Sequence, residues 1–237
     1  MKGVILAGGR GTRLHPLTAI TNKHLLPVYN KPMILYPINT LKTAGVQEIM
    51  IVCGKEHAGH FMNFLGSGAD HGVKLSYSLE HNASGIATAL SLAEDFAKDD
   101  SVAVILGDNI FEDNFSKEVG AFSNRDGAKV FLKQVDDPHR FGVAEIQDDK
   151  IISIEEKPRN PKSNYATVGF YLYNNDIFEK IKTLKPSARG EFEITDIHNM
   201  YIAENKLSYG MVNGYWSDAG TFESLFKTAA WMADQNK

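Results

Sequence analysis

Residues 1–18 read MKGVILAGGRGTRLHPLT. Gly3 to Ala7 make a short apolar run with β-branched Val4 and Ile5, the pattern of a buried strand. Gly8, Gly9 and Gly11 follow at once, then Thr12 and Arg13. Three glycines in four positions let backbone N–H groups come close to a ligand, and a strand that empties into such a loop makes a concave nest for phosphate. Two cations lie close by: Arg13 offers a rigid fork suited to phosphate oxygens, and Lys23 a compact point charge. A turn that binds nothing is the competing reading of a bare GGxG, and neither GxxxxGKS/T nor GxGxxG is spelled here.

Outward from this loop, strand and helix signals alternate. Pro32 to Ala44 is expected as a helix that starts at a proline and stops at Gly45, and Gln47 to Cys53 as the next strand. His57 to Leu65 reads as a helix, Val73 to Leu79 as a strand and Ile86 to Ala97 as an amphipathic helix. Val102 to Leu106, VAVIL, is another wholly apolar strand. The alternation predicts an α/β fold with a largely parallel, doubly wound sheet, whose ligands gather at the carboxyl ends of the strands. GGRG and the triplet Gly107-Asp108-Asn109 stand at two such ends. A carboxylate there is a common Mg²⁺ ligand; an aspartate capping the next turn is the alternative.

Past Phe115 the pattern changes. Lys129 to Val135, Phe141 to Ile146, Ile151 to Ile154 and Val168 to Tyr173 are strand-like, with glycine, proline and aspartate in the turns between them, and a final helix runs from Phe222 to about Gln235. This half is expected to be more antiparallel. With no linker, internal repeat or low-complexity tract, the chain reads as one domain, 1–237, with a first half over 1–115 and a second over 116–237.

Composition sets the outer bounds. A chain of 237 residues is long enough to bury a sizeable core. A net charge of -4 and a pI near 6.1 argue against a nucleic-acid or anionic-membrane partner. The apolar run after Lys2 is too short for a signal peptide, and no stretch is long enough to span a bilayer, so a cytoplasmic protein is expected. Cys53 is alone and reads as a strand residue, neither ligand nor nucleophile.

The longer string AGGRGTRLHPLT, followed by NKHLLPVYNKPMI, resembles the signature of the sugar-1-phosphate nucleotidylyltransferase family, most closely its glucose-1-phosphate thymidylyltransferase members. The resemblance covers essentially the whole chain. It implies a Rossmann-like three-layer αβα fold around a mixed, mostly parallel sheet. It also implies Mg²⁺-dependent transfer of a nucleotidyl group from dTTP to glucose 1-phosphate, by direct in-line attack.

The same resemblance assigns roles. Gly8, Gly9, Gly11, Thr12, Arg13 and Lys23 would hold the triphosphate, with Leu6, Glu80, Gly85 and Asp108 completing the nucleotide site. LGDNIF and YWSDAG would supply Asp108 and Asp218 as the two Mg²⁺ carboxylates. Asn109, Gly142 of RFGVA, Glu156 and Lys157 of EEKP, and Val168 and Gly169 of ATVGF would meet the sugar phosphate. Arg13, Lys157 and Asp108 would carry catalysis. From composition alone EEKP is a solvated charge cluster ending a strand, and DAG before a helix is a cap region.

Three departures from the family pattern stand out, beside one match that can be read two ways. Arg10 replaces a small residue in the loop and adds positive charge at the mouth of the site. Thr167-Val168-Gly169 exchanges the order of the usual VTG. GEFEITD matches the family's GELEITD closely, so its Glu193 either touches sugar or is a buried carboxylate paired to an arginine such as Arg189. Glu80 stands where a glutamine commonly reads the pyrimidine edge. A carboxylate only accepts hydrogen bonds, so it suits two adjacent donors on guanine or the amino group of cytosine better than thymine O4, unless Asn82 supplies the amide instead.

GTP, CTP or UTP, or another sugar 1-phosphate, are therefore the alternative substrates. Longer family members carry further C-terminal helices linked to assembly and feedback; this chain resembles a short form without a separate regulatory site, assembled as a dimer or tetramer. Two rivals belong to other classes. A glycosyltransferase would need a D-x-D at a strand end, which GDN lacks. A non-catalytic nucleotide-sugar sensor predicts loss of Arg13, Asp108, Lys157 or Asp218, and all four are present.

Overall fold

The structure, a computed structural model, describes residues 1–81, 85–123, 125–187 and 189–235. β1 (Lys2–Ala7) opens into the glycine loop and short 3-10 turns, then into a hairpin of β2 (Pro27–Val28) and β3 (Lys31–Pro32). α1 (Leu35–Thr43), β4 (Glu48–Gly54), α2 (Ala58–Leu65), β5 (Lys74–Glu80), α3 (Ile86–Ser91) and α4 (Glu94–Ala97) follow. β6 (Val102–Leu106) and β7 (Asn109–Phe111) end the first half. The second half comprises α5 (Ser116–Phe122), β8 (Ala128–Gln134), β9 (Gly142–Gln147), β10 (Lys150–Glu156), β11 (Tyr165–Tyr173), α6 (Ile177–Thr183) and α7 (Ile194–Ala203). β12 (Leu207–Met211), β13 (Trp216–Asp218) and α8 (Phe222–Asp234) close the described chain.

One mixed sheet runs through both halves in the order β10-β9-β11-β6-β1-β4-β5, with β8 on the far edge of β11 and β12 beside it. β1, β4, β5 and β6 are mutually parallel, and β11 runs antiparallel to β6. Successive side chains on a strand face opposite ways. Ile5, Ile51 and Ile105 therefore join α1, α2 and α5 in one core, while Val4, Val52 and Val104 join α3, α6 and α7 in the other. Two apolar layers on the two faces of one sheet make the three-layer αβα sandwich. Strands buried on both faces read as continuous apolar runs, which is why VAVIL was legible. Cys53 is fully buried in the first core, where burial pushes its thiol up to about 11, as an inert strand residue requires.

The sheet forks at β11. On one edge β6 pairs with Phe170 to Tyr173, and β9 pairs at Ala166, so that Thr167 to Gly169 have no strand beside them there. The Gly169 N–H donates to the Asn109 side chain instead, at 3.0 Å. The gap between the parted strands opens the floor of a cleft.

Two expected elements differ. The helix expected from Pro32 starts at Leu35, because Lys31–Pro32 is claimed by the hairpin and the Met33 and Ile34 N–H groups donate to Leu26 and His24. The helix expected over Ile86 to Ala97 breaks in two where the N–H of buried Ala93 turns back to Leu90, three residues away. Among the described residues, no helix is long and apolar enough to cross a membrane.

Candidate active site

The carboxyl ends of β1 and β6 face two cavities of about 270 and 650 Å³ that share Ile86, Leu106, Asp108 and Glu191, so they form one cleft. In the smaller part, Leu6, Gly8, Gly9, Lys23, Glu80 and Gly85 line the wall beside Asp108. Thr12 and Arg13 stand in the larger part.

The loop needs its glycines for room. A side chain at Gly8 would put Cβ 1.8 Å from Glu80 Oε2, so the Glu80 carboxylate lies against the loop backbone. Gly11 has φ 64, the left-handed region, and a Cβ there would come 2.8 Å from Lys23 Cβ and Thr18 Cγ2. Gly11 lines neither cavity; it lets Lys23 pass beneath the loop. Gly85 has φ 111 and abuts the Phe192 backbone, joining the start of α3 to the second half. Asn82, the alternative base reader, lies outside the described residues.

Asp108 follows β6 and Asp218 ends β13, which pairs with β7 so that Asp218 sits opposite Asn109. Each carboxylate is held by a cation. Lys23 Nζ meets Asp108 Oδ2 at 2.5 Å, and Arg140 Nη2 meets Asp218 Oδ2 at 2.9 Å. Burial alone would raise the Asp108 carboxyl, but the Lys23 ammonium overcomes it and holds that group well below the usual carboxylate range. Burial raises Asp218, and the Asp108 charge raises it further, since two carboxylates facing one cavity repel. Arg13 joins them: a Cβ on Gly220 would lie 3.2 Å from Arg13 Nη2 and 3.4 Å from Asp108 Oδ2. Two hard oxygen ligands that repel across a cavity fit a divalent cation. No third His, Cys, Asp or Glu joins them in a metal-binding cluster among the described residues, so phosphate and water would supply the remaining ligands.

Gly142, Glu156, Lys157 and Gly169, the residues expected to meet the sugar phosphate, line the larger part. Lys157 has φ 46, a strained conformation for a residue with a side chain, and its N–H donates to the Phe141 carbonyl at 2.9 Å. Glu156 Oε2 accepts from Thr195 Oγ1 at 2.6 Å, and its other oxygen lies 3.4 Å from Lys157 Nζ. Glu193 is a buried carboxylate 3.4 Å from Arg189 and bonded to Ser187, which is the structural alternative for that residue.

Val168 is a correction. It is fully buried in the core beneath the sheet and lines neither cavity, while Thr167 and Gly169 on either side of it face the cleft. Alternation along β11 turns the residue between them away from the site. Asn109 is a second adjustment. It reaches the cleft but is 2% exposed, and its amide is engaged: Oδ1 accepts from Gly169 N–H and Trp216 Nε1, and Nδ2 donates to Asp108. From β7 it ties Asp108 to β11 and β13. Arg140, Thr167, Thr195 and Trp216 were missed. The only signal for them was that each is a letter of a quoted motif, RFGVA, ATVGF, GEFEITD or YWSDAG.

Beneath the glycine loop, His24 is buried with Nδ1 2.6 Å from Asn22 Oδ1, and burial, helped by the Lys23 charge, holds its pKa at about 3. His198, buried beside the Tyr173 hydroxyl at 2.6 Å, is also held at about 3 by burial. Both fold as neutral rings. Their folded pKa lies below the unfolded value near 6.5, so their contribution to stability is complete above about pH 6.5 and is lost as pH falls from there toward 3. The melting temperature should hold from about pH 8 to 7 and decline already between about pH 6 and 5, before carboxylates titrate. Calorimetry showing a constant melting temperature down to pH 5 would contradict this.

A sequence profile for the family described as Nucleotidyl transferase matches residues 2–235. Glucose-1-phosphate thymidylyltransferase of Neisseria meningitidis is 45% identical over 237 residues, covering 98% of this chain and 82% of its own length. The enzyme of that name from Mycolicibacterium smegmatis is 43% identical, with 95% of this chain and 80% of its own covered. Among solved structures, a Bacillus anthracis protein assigned as a glucose-1-phosphate thymidylyltransferase, in complex with sucrose, superposes with a TM-score of 0.95 at 54% identity, over 99% of this chain and 96% of the other. A UDP-glucose pyrophosphorylase complexed with UDP-glucose, 23% identical, has a TM-score of 0.87 over 99% of this chain and 98% of its own, a likeness of fold.

Proposed function

The chain belongs to the nucleotidyl transferase family, and we propose that it transfers the thymidylyl group of dTTP to glucose 1-phosphate, giving dTDP-glucose and pyrophosphate. The observation that carries this reading is a single cleft. It joins a glycine nest with Arg13 and Lys23 to a wall bearing Gly142, Glu156 and Lys157, with Asp108 and Asp218 between them. Relatives named for this activity, 43–45% identical over nearly the whole chain, favour this base and this sugar over the family's alternatives.

In this reading the loop N–H groups, Arg13 and Lys23 bind the triphosphate. Lys157 draws the sugar phosphate to the opposite side, and Glu156 accepts hydrogen bonds from sugar hydroxyls. An oxygen of the sugar phosphate attacks the α-phosphorus in line; the new P–O bond forms as the bond to pyrophosphate breaks. That oxygen is already ionised at neutral pH, so no side chain need act as nucleophile or base. The chain's task is to bring two anions together and to neutralise charge spreading over the α-phosphoryl oxygens. Asp108 and Asp218 would hold a divalent cation, Mg²⁺ in the first instance, which when bound adds positive charge at those oxygens. The two halves act as one domain over 1–237. A homo-oligomer, dimer or tetramer, working in the cytoplasm belongs to the same proposal.

The test is pyrophosphate release with glucose 1-phosphate and Mg²⁺, run side by side with dTTP, UTP, CTP and GTP. Release should be fastest with dTTP and should require the sugar phosphate. GTP or CTP in front would mean that Glu80 reads the base, and no release with any of the four would overturn the choice of sugar.

A further inference from the structure

Arg140 enters the sequence only as the first letter of RFGVA, and the mechanism above gives it no task. It ends a short 3-10 turn, Pro138–Arg140, ahead of β9, and faces the larger cavity. Its guanidinium is shared between two carboxylates: Nη1 donates to Asp137 at 2.8 Å and Nη2 to Asp218 Oδ2 at 2.9 Å. Its plane stands over Phe141, 5.1 Å from the ring centre, and Phe141 meets Trp216 edge-on at 5.3 Å. Trp216 holds Asn109, and Asn109 holds Asp108. A chain of contacts thus runs from one candidate cation ligand to the other, with Arg140 as its last member.

We propose that Arg140 is the resident counter-ion of Asp218: it aims the carboxylate into the cleft while no divalent cation is bound and competes with that cation for Oδ2. When the cation takes the oxygen, the guanidinium is released toward the phosphates in the same cavity. The inference rests on the reading of Asp108 and Asp218 as cation ligands. The pair is neither sealed nor loose, with side chains 31% and 18% exposed, so water reaches it and exchange is open. Asp137 keeps the other half of the fork and gives the freed guanidinium a pivot. A lysine, with a single ammonium, could not bridge both carboxylates in this planar fashion.

An ordinary structural ion pair and a competing counter-ion predict opposite results. If Arg140 only braces Asp218, its loss blurs the ligand and weakens cation binding. If it competes, its loss removes a positive charge a few ångströms from the cation and tightens binding. The full-length protein, without nucleotide and at about pH 8, is titrated with Mn²⁺ alone and followed by paramagnetic resonance. Asp218→Asn should weaken Mn²⁺ binding by about tenfold or more, which checks the ligand reading. Arg140→Gln should tighten it by roughly five- to twentyfold, and Arg140→Lys, which keeps the charge, should stay within about twofold of the parent. Asp137→Asn, at a half-exposed position, leaves the guanidinium to Asp218 alone and should weaken binding. Arg140→Gln at or below parental affinity, or Asp137→Asn above it, overturns the proposal. Unchanged affinity in Asp218→Asn overturns the ligand reading itself and the proposal with it.

Discussion

Asp108→Asn should lower kcat by about 10³-fold while leaving the protein folded. The amide keeps the volume of the carboxylate and can still accept from the Asn109 side chain that now reaches Oδ1 at 2.9 Å. What it loses is charge. One of the two anionic ligands facing the cavity disappears, and the Lys23 ammonium, 2.5 Å away, loses its counter-ion in a largely buried site. Far-UV circular dichroism should be unchanged, and the pyrophosphate-release assay should read the loss in kcat far more than in KM for dTTP. Turnover within about tenfold of the parent would remove Asp108 from the catalytic set.

Phe170→Ala should cost about 3–5 kcal/mol of stability. Phe170 is fully buried on β11, stacked on Phe131 of β8 at 5.1 Å and tilted against Phe115 at 4.6 Å. Phe111 of β7 stands 6.2 Å away and meets Phe115 edge-on at 5.2 Å. Two rings of this cluster come from the first half of the chain and two from the second, so truncating the central one leaves a cavity at the seam of the halves. Urea unfolding should show one transition, shifted as a whole, if the halves are one cooperative unit. A loss under about 1 kcal/mol, or two separated transitions, would contradict that picture.

The nucleotide side was legible in the sequence because its chemistry is local. An apolar run, the loop glycines Gly8, Gly9 and Gly11, and the cations Arg13 and Lys23 lie within the first 23 residues, and VAVIL before GDN repeats the device at a second strand end. Strands β8 to β11 of the second half were legible to within a few residues for the same reason, while β12 and β13 were not. What could not be read depends on distant partners. Arg140 meets Asp218 across 78 residues, and no local pattern marks such a pair. The β7–β13 ribbon that sets Asp218 opposite Asn109 is three residues long on each side, too short for alternation to show. The facing of Thr167 and Val168 follows from the register of β11, which shifts between Thr167 and Tyr171 where the sheet forks. Asn109 was placed in the cleft, but its bonds to Asp108, β11 and β13 join segments that no local pattern brings together.

The tip of the Glu80 side chain fills the space that a side chain at position 8 would enter. With Glu80 Oε2 only 1.8 Å from where a side chain on Gly8 would begin, a side chain at position 8 requires the Glu80 carboxylate to move aside. A library that randomises position 80, the candidate base-reading position, inherits this coupling. A longer or branched replacement there presses on the triphosphate loop and shows up as lost affinity for every nucleotide, masking any gain in discrimination. A shorter one leaves a hole over the loop that alanine at position 8 can fill. A library that varies the two together should yield altered preferences that a scan of position 80 by itself discards.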